Sequence, residues 1–193
     1  MTWYTFFKFV HVILAVTWVG GAVVVQAFAR LALASDDGAR KAQFAKDVEW
    51  VGTRIFVPAS FVLILAAIGL MENSESPWTW GMNWVVFALL VWAASFVTGA
   101  AFLGPESGRL GKLIEEQGAE APEVAARIRR IMAVSRVELV FLVAVVWAMV
   151  VKPIGNAGWF WTALAVTAVA AGAIVVSYLR TEEALAAAGT TAN

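Results

Sequence analysis

Five apolar stretches divide the chain, at about 9–29, 55–71, 82–103, 133–151 and 157–179, and polar segments separate them. At ~1.5 Å per residue, a helix of about twenty residues matches the ~30 Å hydrocarbon core of a bilayer. The pattern predicts an all-α, polytopic membrane bundle of five transmembrane helices, forming one domain over 1–193. It also predicts a mobile tail over 180–193, which is polar and alanine-rich.

The segments between the spans refine this picture. Residues 30–54 carry both charge signs, with Ser35, Asp36 and Asp37 as a helix start and Phe44, Val48 and Val51 at helical spacing. They read as a short amphipathic helix lying on the membrane surface. Pro58 fits the first turn of the second span. Residues 72–81 form a short acidic loop holding Pro77, Trp78 and Trp80, and Gly104 followed by Pro105 reads as the stop of the third span. Gly118 and Pro122 break the long polar stretch 106–132, and Pro122 fits the first position of a helix that runs on into the fourth span. Glu123 and Arg127 are spaced to pair across one turn. The fourth span ends at Lys152 and Pro153.

Composition agrees with a membrane protein. The chain is 61% hydrophobic, against about 45–50% in soluble domains, and its mean hydropathy is +0.78. Net charge is zero, so the distribution carries the information. Twelve Lys and Arg residues fall on one side of the predicted topology and only Lys8 and Lys152 on the other. The positive-inside rule then puts the N-terminus outside and the C-terminus in the cytoplasm, which an odd number of spans requires. The expected location is the cytoplasmic membrane of a bacterium, with the lipid bilayer as first partner. A cleavage-like Ala27, Phe28, Ala29 follows the first span, but the run is longer than a signal core and its positive charges come after it, so it reads as a retained helix.

The candidate chemistry lies in the first span. His11 is the only histidine of the chain, in a run with no other titratable group. Such a residue in a membrane is a functional hypothesis by default. It lies roughly 3 to 9 Å inside the outer boundary, where Gly69, Met71, Met82, Asn83, Trp84, Trp147, Met149 and Lys152 are expected as well. Lys8, His11, Ala15 and Trp18 share one helical face, which Gly21 and Ala22 continue. Small residues beside an imidazole leave room for a flat ligand, and neutral imidazole is a common haem ligand. Equally, Ala15 and Gly21 serve close helix packing while His11 bonds to a carbonyl. Arg54, Arg136 and Glu138 fall at the opposite end, as a charged cluster at the cytoplasmic mouth.

Other chemistries find little support. There are no cysteines, which excludes disulfides, thiolate metal sites and covalent haem attachment. Five methionines without an M-x-x-M pattern and a single histidine argue against copper. No phosphate loop or catalytic triad is present. Arg127, Arg129, Arg130 and Arg136 border a span, so they read as a topology signal and as anionic-lipid contacts rather than a nucleic-acid surface. Ala163, Thr167 and Ala171, with Ala168 and Gly172, make the fifth helix a small-residue ridge for close packing, within the chain, in a homo-oligomer or in a larger membrane complex.

Lys8 and His11 followed by Thr17, Trp18, Val19, Gly20 and Gly21 resemble the first helix of a superfamily of small bacterial membrane proteins. That superfamily includes HemJ-type protoporphyrinogen oxidases, the membrane domain of CopD copper-resistance proteins and an uncharacterised family of predicted integral membrane proteins. Arg54 to Ala59 with Gly69 resemble the second HemJ helix, and Val150 to Pro153 the close of the fourth, so the likeness covers roughly 5–155. It implies that His11 is tied to b-type haem and that Arg54 is the second-helix arginine. The HemJ lysine early in helix three is replaced by Met82, Asn83 and Trp84, and the acidic residue opening helix four falls near Arg136, two positions before Glu138. These departures weigh against oxidase activity more than against haem. The resemblance is closest to the uncharacterised family, and it leaves an electron-transfer or haem-handling protein ahead of an enzyme and of a cofactor-free accessory subunit or small transporter.

Overall fold

A computed structural model describes residues 1–76, 78–153 and 157–191. Pro77 of the second loop and the last two residues of the expected tail lie outside them. The described residues form helices α1 (Trp3–Leu33), α2 (Gly38–Val51), α3 (Val57–Glu72), α4 (Asn83–Thr98), α5 (Gly104–Gln117), α6 (Pro122–Val151) and α7 (Ala157–Thr191). Two π-helical turns, π1 (Gly52–Phe56) and π2 (Gly99–Leu103), fuse α2 to α3 and α4 to α5. The result is five continuous helices, each long and apolar enough to cross a membrane.

The two fused helices, Gly38–Glu72 and Asn83–Gln117, are each 35 residues long, or ~52 Å at the helical rise. They exceed the bilayer core, and the bundle projects from the membrane at its basic end. This overturns the surface-lying helix expected over 30–54. The side chain of Asp37 accepts from the Ala39 amide at 2.9 Å and starts α2. Phe44 and Ala45 are then buried in a core shared with α1, α5 and α6, rather than facing lipid headgroups. The helix reaches the membrane without a break.

Gly104 and Pro105 do not stop the third span. Each π-turn closes on an i to i+5 hydrogen bond, from Val57 to the Gly52 carbonyl and from Gly104 to the Gly99 carbonyl. The next residue in each case is a proline, Pro58 or Pro105. A proline ring ordinarily clashes with the carbonyl four residues back, and it lacks the amide that would bond there. The widened turn accommodates both defects, so the helix continues. The true break is Gly118, whose φ of +86° ends α5; α6 then starts at Pro122 as its sequence predicts.

The projecting core is aliphatic and closed. Val124 and Ile128 are fully buried, and Leu110 and Ile131 nearly so. Beside it Glu106 is 3% exposed, with its carboxylate accepting from Arg109 at 2.8 Å and Arg127 at 2.9 Å. Arg127 therefore bonds across to α5 rather than to Glu123 on its own helix. Lys41 pairs with Glu120, and Arg129 pairs with Glu182 of α7.

In the membrane layer, α1 and α3 approach through glycine. A Cβ at Gly69 would stand 2.5 Å from the Phe7 ring, and one at Gly21 would stand 2.6 Å from Phe56. Helix α7 packs against α6 and α4. Thr167 is buried and Ala163 joins the cluster of Phe87, Val91 and Ala148, so that ridge is consumed within the chain. Ala168 and Gly172 stay exposed. The helical backbone of α7 extends beyond 179 to Thr191.

Candidate functional site

The site is built from α1 upward. His11 lies two turns above Trp18 on one face, and α3, α4 and α6 close the space beside that face. They border an open-sided cavity of about 570 Å³ lined by His11, Trp18, Met71, Trp84, Trp92 and Met149 among other, overwhelmingly apolar residues. This volume is within the range of small-molecule and cofactor sites.

The Nδ1 atom of His11 lies 3.3 Å from the Leu63 carbonyl oxygen. A carbonyl only accepts, so Nδ1 carries the hydrogen, and in the neutral ring Nε2 keeps a free lone pair. Anchoring one ring nitrogen on a carbonyl is how a ligating imidazole is held in orientation and tautomer. Two further polar atoms on the cavity wall are buried without partners among the described residues: Trp84 Nε1 and Ser95 Oγ.

A second cavity, about 320 Å³, lies between the two π-turns. Phe56, Ser60, Ser95, Gly99, Ser135 and Glu138 are on its wall, and Trp18 and Ser95 line both cavities. Trp92 Nε1 donates to Ser60 Oγ at 3.1 Å, fixing the aromatic that borders the upper cavity.

The structure separates the remaining candidates. Trp18 joins His11 in the upper cavity, as do Met71, Trp84 and Met149. Gly21 does not: Phe56 fills the space beside it, and Gly20 lines the cavity instead. Lys8 is exposed, with its ammonium 5.8 Å from the Tyr4 ring centroid. Asn83 is exposed and borders a crevice between α4, α6 and α7. Lys152, in a left-handed conformation at φ 45°, places its ammonium over Trp78 and Trp84 at 4.7 and 5.7 Å, above the cavity.

Arg54, Arg136 and Glu138 form no cluster. Arg54 is exposed on π1 and lines neither cavity. Arg136 donates to Gln26 Oε1 at 3.3 Å, and Glu138 turns into the lower cavity. The physical reason is angular: on one helix, residues two apart point to opposite sides. Gln26 was not singled out in the sequence. It is buried and also donates to the Met132 carbonyl and Ser135 Oγ, tying α1 to α6. Its signal, with that of Ser60, Ser95 and Ser135, is an uncharged polar side chain inside an apolar span.

Among the described residues no three His, Cys, Asp or Glu side chains group together as a metal site. A group whose metal sits in a macrocycle asks less of the protein: an axial donor, apolar walls and polar atoms at the edge. The upper cavity offers one imidazole and apolar walls. The fold thus defines a polytopic helical membrane protein with a histidine-bearing cavity that opens on one side of the bundle. Residues 5–153 match the family model described as a predicted integral membrane protein (DUF2269), and the chain belongs to that family. No curated protein and no solved structure matches the chain.

Proposed function

We propose that this protein holds one b-type haem, or a related flat porphyrin, in the upper cavity with His11 Nε2 as an axial ligand, and that it serves electron transfer or haem handling. The observation carrying this reading is the His11 imidazole, anchored through Nδ1 to Leu63 on the wall of a 570 Å³ apolar cavity. Met71 and Met149 on the same wall are candidates for the second axial position. The reading includes the HemJ- and CopD-type framework and a bacterial cytoplasmic membrane with the N-terminus outside. Arg54, exposed on π1, stays outside the cavity and is assigned no contact with the porphyrin.

The test is an optical spectrum of the full chain, purified in detergent from cells supplied with haem. The expected result is a Soret band that His11→Ala abolishes while the variant still elutes as a folded species. A pigment-free preparation that also fails to bind added haemin would overturn it.

A second reading rests on α7, where only 6% of the most apolar window is buried. An accessory subunit docking through the exposed face of Ala168 and Gly172 would copurify with a larger complex, and Gly172→Leu would release it.

A further inference from the structure

We infer that Glu138 and the serine-lined cavity around it form a proton-binding site inside the membrane, reached by water from the basic end of the bundle. This stands apart from the His11 reading and uses different residues.

Glu138 is 8% exposed, lines the lower cavity, and makes no hydrogen bond or ion pair among the described residues. A carboxylate in such a place needs a compensating charge. None faces it. Helix α1 contributes Trp18, Ala22 and Val25 to the cavity, all uncharged. On α2, π1 and α3, Glu49 and Arg54 are exposed and off the wall, which is made by Val48, Thr53, Phe56 and Ser60. On α5, Glu106 is engaged by Arg109 and Arg127. On α6 itself, Arg136 is turned to Gln26. With no cation supplied by the protein, the carboxyl is neutralised by a proton.

The surroundings suit that proton. Ser60, Ser95 and Ser135 put three hydroxyls on the wall, and Ser95 Oγ is fully buried without a partner. The cavity, about 320 Å³, is mostly apolar in its wall, and its few polar groups, these serines and the carboxyl, are the partners it offers to water. Its wall extends along one continuous helix from Ser95 to Ser107, ~18 Å at the helical rise. Toward the basic end it includes Thr53 and Pro105, both exposed, which opens it to water. The two π-turns bordering it are the kind of helix defect that recurs at functional sites. In the binding step a hydronium ion gives its proton to a Glu138 oxygen and leaves water; release reverses this, and nothing is oxidised or reduced. Ionisable groups in membrane interiors serve proton relays in this way.

Infrared spectroscopy of the full chain in lipid nanodiscs tests the assignment. The expected spectrum contains a carboxylic-acid C=O stretch that shifts in heavy water within minutes, is absent from Glu138→Gln, and persists at a displaced frequency in Glu138→Asp. The band also persists in His11→Ala, so the outcome is independent of whether porphyrin binds. Either of two results overturns the proposal. Identical C=O regions in wild type and Glu138→Gln would mean an ionised Glu138, as expected for a cavity filled by a metal or organic cation. A Glu138 band that resists deuterium exchange for hours would mean a sealed carboxyl without water access.

Discussion

The projecting core is built from four of the five helices that form the membrane layer, and the two regions are packed by different rules. In the projection, Leu110, Val124, Ile128 and Ile131 are at most 1% exposed and the polar atoms around them are paired. In the membrane layer, glycines receive aromatic rings, two cavities open, and Trp84 Nε1 and Ser95 Oγ lack partners among the described residues. Water drives apolar side chains together at the basic end. Lipid does not distinguish a helix neighbour from an acyl chain, so close packing and polar bonds must hold the helices there. Stability is therefore expected to be concentrated in the projection, which leaves the membrane layer free to keep its cavities.

The largest effect that tests this contrast is at Glu106. Replacing Arg109 and Arg127 together by alanine strands a buried carboxylate, with an expected loss of about 3–5 kcal/mol in chemical unfolding followed in detergent. Equal stability of the double variant and wild type would refute the paired-core view. Next comes Ile128→Ala, which leaves a cavity in the closed core and is expected to cost about 2–5 kcal/mol by the same assay. Gly69→Leu, in the membrane layer, drives a side chain into Phe7; the overpacking loss is about 1–3 kcal/mol. Ala15→Phe should divide the comparison most sharply. It fills volume in the upper cavity, so stability is expected to change by less than about 1.5 kcal/mol, while haemin titration shows at least a tenfold weaker binding. Smallest is Lys41→Ala, whose Glu120 partner is two-thirds exposed; a change within about 1 kcal/mol is expected.

The fold was largely legible in the sequence because membrane spans are encoded locally. Five apolar runs, the start of α6 at Pro122 and its end at Lys152 are visible in the chain itself. So is the exceptional status of His11. The fused helices were not legible. Pro58 and Pro105 are helix breakers by local propensity, and only the π-turns preceding them allow the helix to pass. Phe44 gave a correct amphipathic signal, but periodicity does not say whether the apolar face meets lipid or protein.

The candidate site divides in the same way. Sequence determined that one imidazole lies inside a membrane span, that Trp18 shares its face, and that no thiolate chemistry is available, since these depend on residue identity and helical spacing alone. Tertiary structure decided which nitrogen of His11 is anchored, that Phe56 rather than a ligand fills the space at Gly21, and that Glu138 turns away from Arg136 into a serine-lined cavity. Those outcomes depend on how neighbouring helices are rotated and offset, and residues far apart in the chain, such as Leu63, Ser95 and Ser135, set that geometry together.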